Sequence, residues 1–260
     1  MVYIVGAGCG DPELITVKGA RLLKAADVVI WTGSLVNPEL LKKVKKGCAV
    51  YDSAFMTLEE VIRVIEKAES ENKMTVRLHT GDPSIYGTIK EQMDILAQKK
   101  IAFEIVPGVS SLFGAASSLK AEYTLPGVTQ SIIVTRRAGK TPVPERESLT
   151  KLASHGCTMA IFLSVSMIGE VVEELLAGGV YTEHTPAAVV FKATWSDEMI
   201  LRGTLGNIAK LTIGENLKKT AIILVGDFLD AAYERSKLYA PDFSTEFRQA
   251  QPVLQTQSDL

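Results

Sequence analysis

The sequence predicts an α/β protein made of two α/β domains, and three observations predict it. In the first half, short runs rich in β-branched residues alternate with segments of helical period, the pattern of parallel strands joined by helical crossovers. Near Lys120–Gln130 the alternation stops, at Tyr123-Thr124-Leu125-Pro126-Gly127-Val128-Thr129, which carries a Pro-Gly turn and no periodicity. Beyond it, five strand-like runs are separated by only two or three helices, which implies a mixed sheet. The 260 residues suffice for two domains of ordinary size. The expected division is 1–119 and 120–248, with a polar tail at 249–260 expected to be disordered.

Taken in order, strands are expected at Val2–Val5, Val28–Trp31, Thr75–Leu78 and Phe103–Val106, each short, apolar and β-branched. A helix is expected to open near Thr16. Leu58–Glu71 places Val61, Ile62 and Ile65 on one helical face, with Thr57 and Glu60 spaced as a capping box. Ile89–Lys99 reads as a helix with Met93 and Leu96 inward and Glu91, Asp94 and Lys99 outward. After the division, strands are expected at Ser131–Thr135, Thr158–Leu163, Ala187–Phe191, Glu198–Thr204 and Thr220–Asp227, with an amphipathic helix at Met167–Ala177. Arg137–Glu147, with Pro142 and Pro144, reads as a loop.

Composition removes several function classes. Basic and acidic residues number 28 and 30, a formal net charge of −2, without the basic excess of a general nucleic-acid binder. Cys9, Cys48 and Cys157 make no C-x-x-C pair, which disfavours structural zinc, thioredoxin-type chemistry and a disulfide framework. No apolar run approaches the ~20 residues of a membrane span. The chain enters its first strand with no basic leader-like region, so a cytoplasmic protein is expected.

Three loops carry the chemistry. Gly6-Ala7-Gly8-Cys9-Gly10-Asp11-Pro12 follows a strand and precedes a helix. It is not a dinucleotide fingerprint: Asp11 occupies the third glycine's place, and the next strand ends in Trp31-Thr32-Gly33 with no acid for a ribose. The spacing of a P-loop is also absent. A tight turn needing positive φ accounts for it equally well. Thr80-Gly81-Asp82-Pro83-Ser84-Ile85-Tyr86-Gly87 also follows a strand. Asp82 either accepts hydrogen bonds from a ligand amine or makes an Asx turn ahead of the next helix. In Val106-Pro107-Gly108-Val109-Ser110-Ser111, a Pro-Gly turn leads two hydroxyls into a helix of small residues, where they cap the helix or meet a ligand. Three such loops at strand C-termini of one sheet outline a polar, backbone-lined crevice. His79, beside the second loop, either touches substrate or cofactor or is an ordinary loop-edge residue. His79, His155 and His184 are scattered, and no metal site is expected.

Together, Gly6–Thr16, Gly81–Gly87 and Val106–Ser111 resemble the motifs of the tetrapyrrole methyltransferases, which methylate uroporphyrinogen and precorrins using S-adenosylmethionine. The resemblance continues through Ala187–Trp195 and Thr220–Gly226 and spans roughly residues 2–248. It implies the class III methyltransferase fold, with the active-site cleft between two α/β domains. The segments Gly33–Asn37, Tyr51–Ala54, Glu122–Thr124, Thr135–Arg136, Gly139–Pro144 and Lys192–Trp195 look like the branch that methylates carbon 11 of precorrin-4 or cobalt-precorrin-4 in cobalamin biosynthesis. Thr32 and Ser53 stand where the uroporphyrinogen branch has an aspartate and a lysine.

Carried over residue by residue, the resemblance implies a cofactor site of Cys9, Thr80, Gly81, Asp82, Ile85, Ser110, Ser111, Leu163, Ala193 and Ala221, the last three cradling the adenine. Cys9 stands where most members have proline. Sulfonium methyl transfer needs no acid for its neutral leaving group, so no catalytic residue is assigned and the protein's task is positioning. A polycarboxylate ring needs local positive charge, and Arg136, Arg137 and Lys140 are the expected substrate-gripping lip. Tyr123, Trp195 and Met167 are candidates for apolar contact with the ring. The resemblance further implies a homodimer. Other readings are a sibling methylase with another substrate, such as a uroporphyrinogen or diphthine methyltransferase, a nicotinamide dehydrogenase, and a non-catalytic tetrapyrrole carrier.

Overall fold

The computed structural model describes residues 1–251. Residues 252–260 of the tail expected to be disordered lie outside the described residues. Of its first three residues, Ala250 and Gln251 are held, their N–H groups donating to Ser244 Oγ and Pro241 O.

The first sheet is formed by β1 (Val2–Gly6), β2 (Val28–Trp31), β3 (Ala49–Asp52), β4 (Thr75–His79) and β5 (Phe103–Val106). All pairs are parallel, in the order β3-β2-β4-β1-β5. The crossover helices are α1 (Val17–Ala25), α2 (Leu58–Ser70) and α3 (Lys90–Gln98). Thr16 caps α1 by accepting from the Gly19 N–H, and Thr57 and Glu60 form the expected capping box on α2. The two sheet faces carry separate cores, one around Val5, Leu23, Val29 and Leu78, the other around Ile30, Ile62, Ile65 and Leu96. Because β4, β1 and β5 are neighbours, the three loops leaving their C-termini converge at one edge. That edge includes the point where the chain changes its direction of travel across the sheet.

Two readings need correction. Strand β3 was not expected: its apolar run Ala49-Val50-Tyr51 is only three residues long before Asp52, and it lies exposed on a sheet edge. On α3, Gln92 is buried beside Leu96, while Met93 is only half-buried. Gln92 goes inward because its side chain meets the buried Arg77.

The second sheet has β6 (Ile132–Arg136), β7 (Thr158–Phe162), β8 (Pro186–Phe191), β9 (Met199–Thr204) and β10 (Ala221–Val225). Its order is β6-β7-β10-β8-β9, with β6 and β7 parallel and the other neighbours antiparallel, the mixed sheet expected. Helices α5 (Leu149–Ala153), α6 (Ile168–Ala177) and α7 (Ile208–Gly214) cover one face through Leu149, Ile168, Leu175 and Ile208. The other face is covered by α4 (Ser111–Leu119), whose Leu112, Ala115 and Leu119 pack with Ala160, Ala188 and Leu224. The antiparallel pairing puts the ends of β7 and β8 and the start of β10 at one edge.

Candidate functional site

The three loops of the first sheet touch through glycine backbone. Gly8 and Gly81 form a β-bridge, with Gly81 N–H donating to Gly8 O at 2.8 Å and Gly8 N–H to Gly81 O at 3.3 Å. A Cβ added at Gly108 would lie 2.2 Å from Gly81 O and 2.8 Å from Gly6 Cα. These glycines are therefore needed for close approach, and Gly8 and Gly81 also have positive φ. Asp82 completes the junction. Its Oδ1 accepts from Ser84 N–H at 2.8 Å, the Asx turn, and its Oδ2 accepts from Gly108 N–H at 2.9 Å. Burial works to raise the Asp82 carboxyl, but the hydrogen bonds from Ser84 and Gly108 outweigh it and hold it below the usual range. Of the two roles open to Asp82, the carboxylate serves the backbone, while the residue itself faces the crevice. Ser110 caps α4 by accepting from Leu112 N–H and also faces the crevice.

The second sheet presents its edge across from these loops. Asp11 N–H donates to Thr194 Oγ1 at 3.0 Å, and Trp195 Nε1–H donates to Cys9 O at 3.2 Å. Cys9 Sγ lies 3.4 Å from Thr194 Oγ1, and its thiol is pushed up, chiefly by burial. Glu198 fixes this turn by accepting from Thr194 N–H and from the Ser118 hydroxyl of α4. Tyr86 and Phe162 meet across the cleft with ring centroids 5.5 Å apart.

Between the two edges lies a cavity of about 270 Å³. All ten residues of the expected cofactor site line it: Cys9, Thr80, Gly81, Asp82, Ile85, Ser110, Ser111, Leu163, Ala193 and Ala221. Its walls are mostly apolar, with Val165, Val190 and Ile222, and its polar groups are few: hydroxyls, backbone, Asp82, Trp195, and Lys192, Lys218 and Lys219 at the second sheet's edge. Such a lining suits a flat heterocycle with a polar tail. Ten described non-glycine residues have positive φ; Tyr86, Leu163, Lys192 and Thr220 line this cavity, Thr194 touches its Cys9, and Thr88 lies two residues past Tyr86. Three of those are threonines, for which the left-handed region is costly, so the concentration of strain marks a functional cleft.

The expected substrate lip fares differently. Tyr123 is corrected: it is buried, its hydroxyl donates to Leu112 O at 2.6 Å, and its ring packs on Phe228 at 5.2 Å. It is a core residue under α4, turned from the cleft because its hydroxyl found a backbone acceptor there. Arg137, expected to bind substrate, is ion-paired: its Nε donates to Glu174 Oε1 at 2.7 Å with both side chains mostly covered. Arg136 donates to the carbonyls of Arg137, Thr141 and Pro142, folding the loop around its own guanidinium. Lys140 is exposed near that loop's tip. Met167 lies against Gly139 and Arg137. Trp195 does line the cavity.

The sequence does not single out Tyr86, Phe162 and Arg77 as site residues. Arg77 was detectable as a charge inside an otherwise strand-like apolar run. His79 is buried with an unpartnered Nε2, and its imidazole is pushed down to about 3, by burial first and by the Arg77 charge second. An unfolded histidine titrates at about 6.5, so the unfolded chain binds the extra proton between these values. Stability from keeping His79 neutral is therefore complete above pH about 6.5 and is lost as pH falls toward 3. His79→Gln is expected to flatten the acid side of the stability curve by several kcal/mol, at about 1.4 kcal/mol per pKa unit. Urea midpoints from neutral pH to pH ~4 check this; wild type and variant falling in parallel contradict it.

Residues 1–209 match the family model described as Tetrapyrrole (Corrin/Porphyrin) Methylases. The chain is 57% identical over 250 residues to the cobalt-precorrin-4 C(11)-methyltransferase of Methanocaldococcus jannaschii, covering 96% of each. Among solved structures, it is similar to a cobalt precorrin-4 methyltransferase of cobalamin biosynthesis, with a TM-score of 0.85, 48% identity, and coverage of 88% of this chain and 96% of that one. It is also similar to the uroporphyrin-III C-methyltransferase of Thermus thermophilus complexed with S-adenosylhomocysteine, at TM-score 0.73, 27% identity, and coverage of 88% and 93%.

Proposed function

The chain belongs to the tetrapyrrole (corrin/porphyrin) methylases, and from that premise we propose that it transfers a methyl group from S-adenosylmethionine to carbon 11 of precorrin-4 in cobalamin biosynthesis. The products are the corresponding precorrin-5 and S-adenosylhomocysteine. The observation that carries this reading is the 57% identity, over nearly the full length of both chains, to an enzyme named for that reaction. The cobalt form is favoured, because relatives named for it are 57% and 47% identical and the first named for the metal-free form is 42%. Thr32 and Ser53, in place of an aspartate and a lysine, weigh against uroporphyrinogen.

The cavity fits the cofactor. In this reading residues 1–119 supply the glycine-loop side, with Gly81, Asp82, Ser110 and Ser111. Residues 120–248 supply the adenine side, with Leu163, Ala193 and Ala221. When bound, S-adenosylmethionine supplies a sulfonium methyl whose departure leaves a neutral thioether. The chain's own task is alignment and exclusion of water. The glycine junction fixes the loops, Asp82 locks their spacing, and the Thr194–Trp195 turn ties the Cys9 loop to the second sheet. Tyr86 and Phe162 close the cleft between the sheets. Arg136 and Lys140 stand as the cationic loop offered to substrate carboxylates. The reading extends to a homodimer, the usual assembly in the family, working in the cytoplasm where S-adenosylmethionine is made.

Incubation with methyl-labelled S-adenosylmethionine and precorrin-4, with and without cobalt, tests it. A single methyl gained at carbon 11, located by NMR and mass, is expected. A methyl at another carbon, or turnover with uroporphyrinogen III alone, contradicts it.

A further inference from the structure

Beside the cofactor cavity lies a second hollow of about 350 Å³, which shares Leu35, Thr80, Ile85 and Tyr86 with it. A group held in this hollow therefore sits next to whatever fills the cofactor cavity. Its floor carries Arg77 and His79, two residues apart on β4 and so on the same face of the sheet. They are only 7% and 5% exposed.

Neither has the partner its chemistry calls for. Arg77 Nε donates to Gln92 Oε1 at 3.3 Å and Nη1 to Ile30 O at 3.2 Å, both neutral acceptors. Among the described residues no carboxylate pairs with it, and burial alone acts on its guanidinium, which stays charged near neutrality. The one acid lining the hollow, Glu91, is exposed at the rim. Among the described residues His79 Nε2 has no hydrogen-bond partner. Gln92 cannot supply charge, and its amide is already committed to Thr88 O at 2.9 Å. An uncompensated buried charge costs several kcal/mol, and a buried ring nitrogen without a partner adds to that cost. A bound anion removes both costs at once, with a charge for Arg77 and an acceptor for the His79 N–H.

We propose that this hollow is a subsite for one carboxylate arm of the tetrapyrrole, held by the Arg77 guanidinium and by His79 Nε2–H. The subsite fixes which edge of the ring faces the methyl donor, making Arg77 and His79 determinants of specificity. It rests on the functional reading above. The Arg136–Arg137 loop is a weaker candidate for this grip, because Arg137 already has Glu174.

The test is absorbance titration of cobalt-precorrin-4 into the S-adenosylhomocysteine complex, where no transfer occurs. Arg77→Gln is expected to bind it at least tenfold more weakly and His79→Gln several-fold more weakly. Arg77→Lys, which keeps the charge, is expected to recover most of the affinity. S-adenosylhomocysteine affinity stays within twofold, and the melting temperature of Arg77→Gln does not fall, since an uncompensated charge has gone. No binding to wild type, equal affinity in Arg77→Gln and wild type, or a lowered melting temperature with unchanged affinity overturns the subsite. If Arg77→Gln does not fold, His79→Gln decides by the same criterion. Methylation at a different carbon would overturn the functional reading and leave the subsite standing.

Discussion

Gly108→Ala is expected to reduce S-adenosylhomocysteine affinity and methyl-transfer kcat/KM by about 100-fold, the scale on which a ~1 Å misplacement in a reacting site is felt. The added Cβ would sit 2.2 Å from Gly81 O and 2.8 Å from Gly6 Cα. Those atoms are backbone, so no side chain can swing away, and the loops after β1, β4 and β5 must separate. The same variant is expected to lose about 1–3 kcal/mol of stability by overpacking. Gly169→Ala is the control. It lies in α6, a Cβ there meets nothing within 4 Å, and alanine favours the helix, so neither affinity nor stability should fall. Calorimetric titration and thermal melts of both variants check this. Wild-type affinity in a folded Gly108→Ala protein contradicts the role given to the junction.

Asp82→Ala is expected to weaken S-adenosylhomocysteine binding by more than tenfold while the protein stays folded. Its carboxylate bridges Ser84 N–H and Gly108 N–H and so holds two loops at fixed spacing. Losing a charged acceptor for two backbone donors costs about 1.5–3 kcal/mol per bond to a charged group, enough to displace a loop that lines the cavity. Asp82→Asn keeps the shape and one acceptor oxygen, and falls between. Calorimetry decides it: unchanged affinity in Asp82→Ala removes Asp82 from the site.

Most of the first sheet's strands were legible because buried parallel strands are short, apolar and β-branched, and Val28–Trp31 falls where the pattern puts it. Strand β3 was not, because its apolar run is only Ala49-Val50-Tyr51, too short to stand out from the loop around it. That the expected site residues line one cavity has a topological reason. Loops at the C-termini of adjacent parallel strands must meet, and the resemblance named the partners they meet on the second sheet. The substrate side was less legible. Whether Arg137 is free depends on Glu174, 37 residues away on α6, and no local pattern states that pairing. Tyr123 stands next to a turn, and only the packing of α4 decides that it faces inward. Arg77 was visible in the sequence as a charge within a core strand, but that it meets only neutral acceptors and that His79 Nε2 meets none among the described residues is decided by packing.

The cofactor held between the two sheets, with its methyl carrier facing the hollow over Arg77 and His79, is the centre of this account. A crystal structure of the protein with S-adenosylhomocysteine tests it most directly. Adenine is expected against Ala193 and Ala221, the tail against the Gly81–Asp82 and Ser110–Ser111 loops, and the thioether sulfur facing that hollow. A ligand bound outside the cleft, or a sulfur turned away from the hollow, would contradict it.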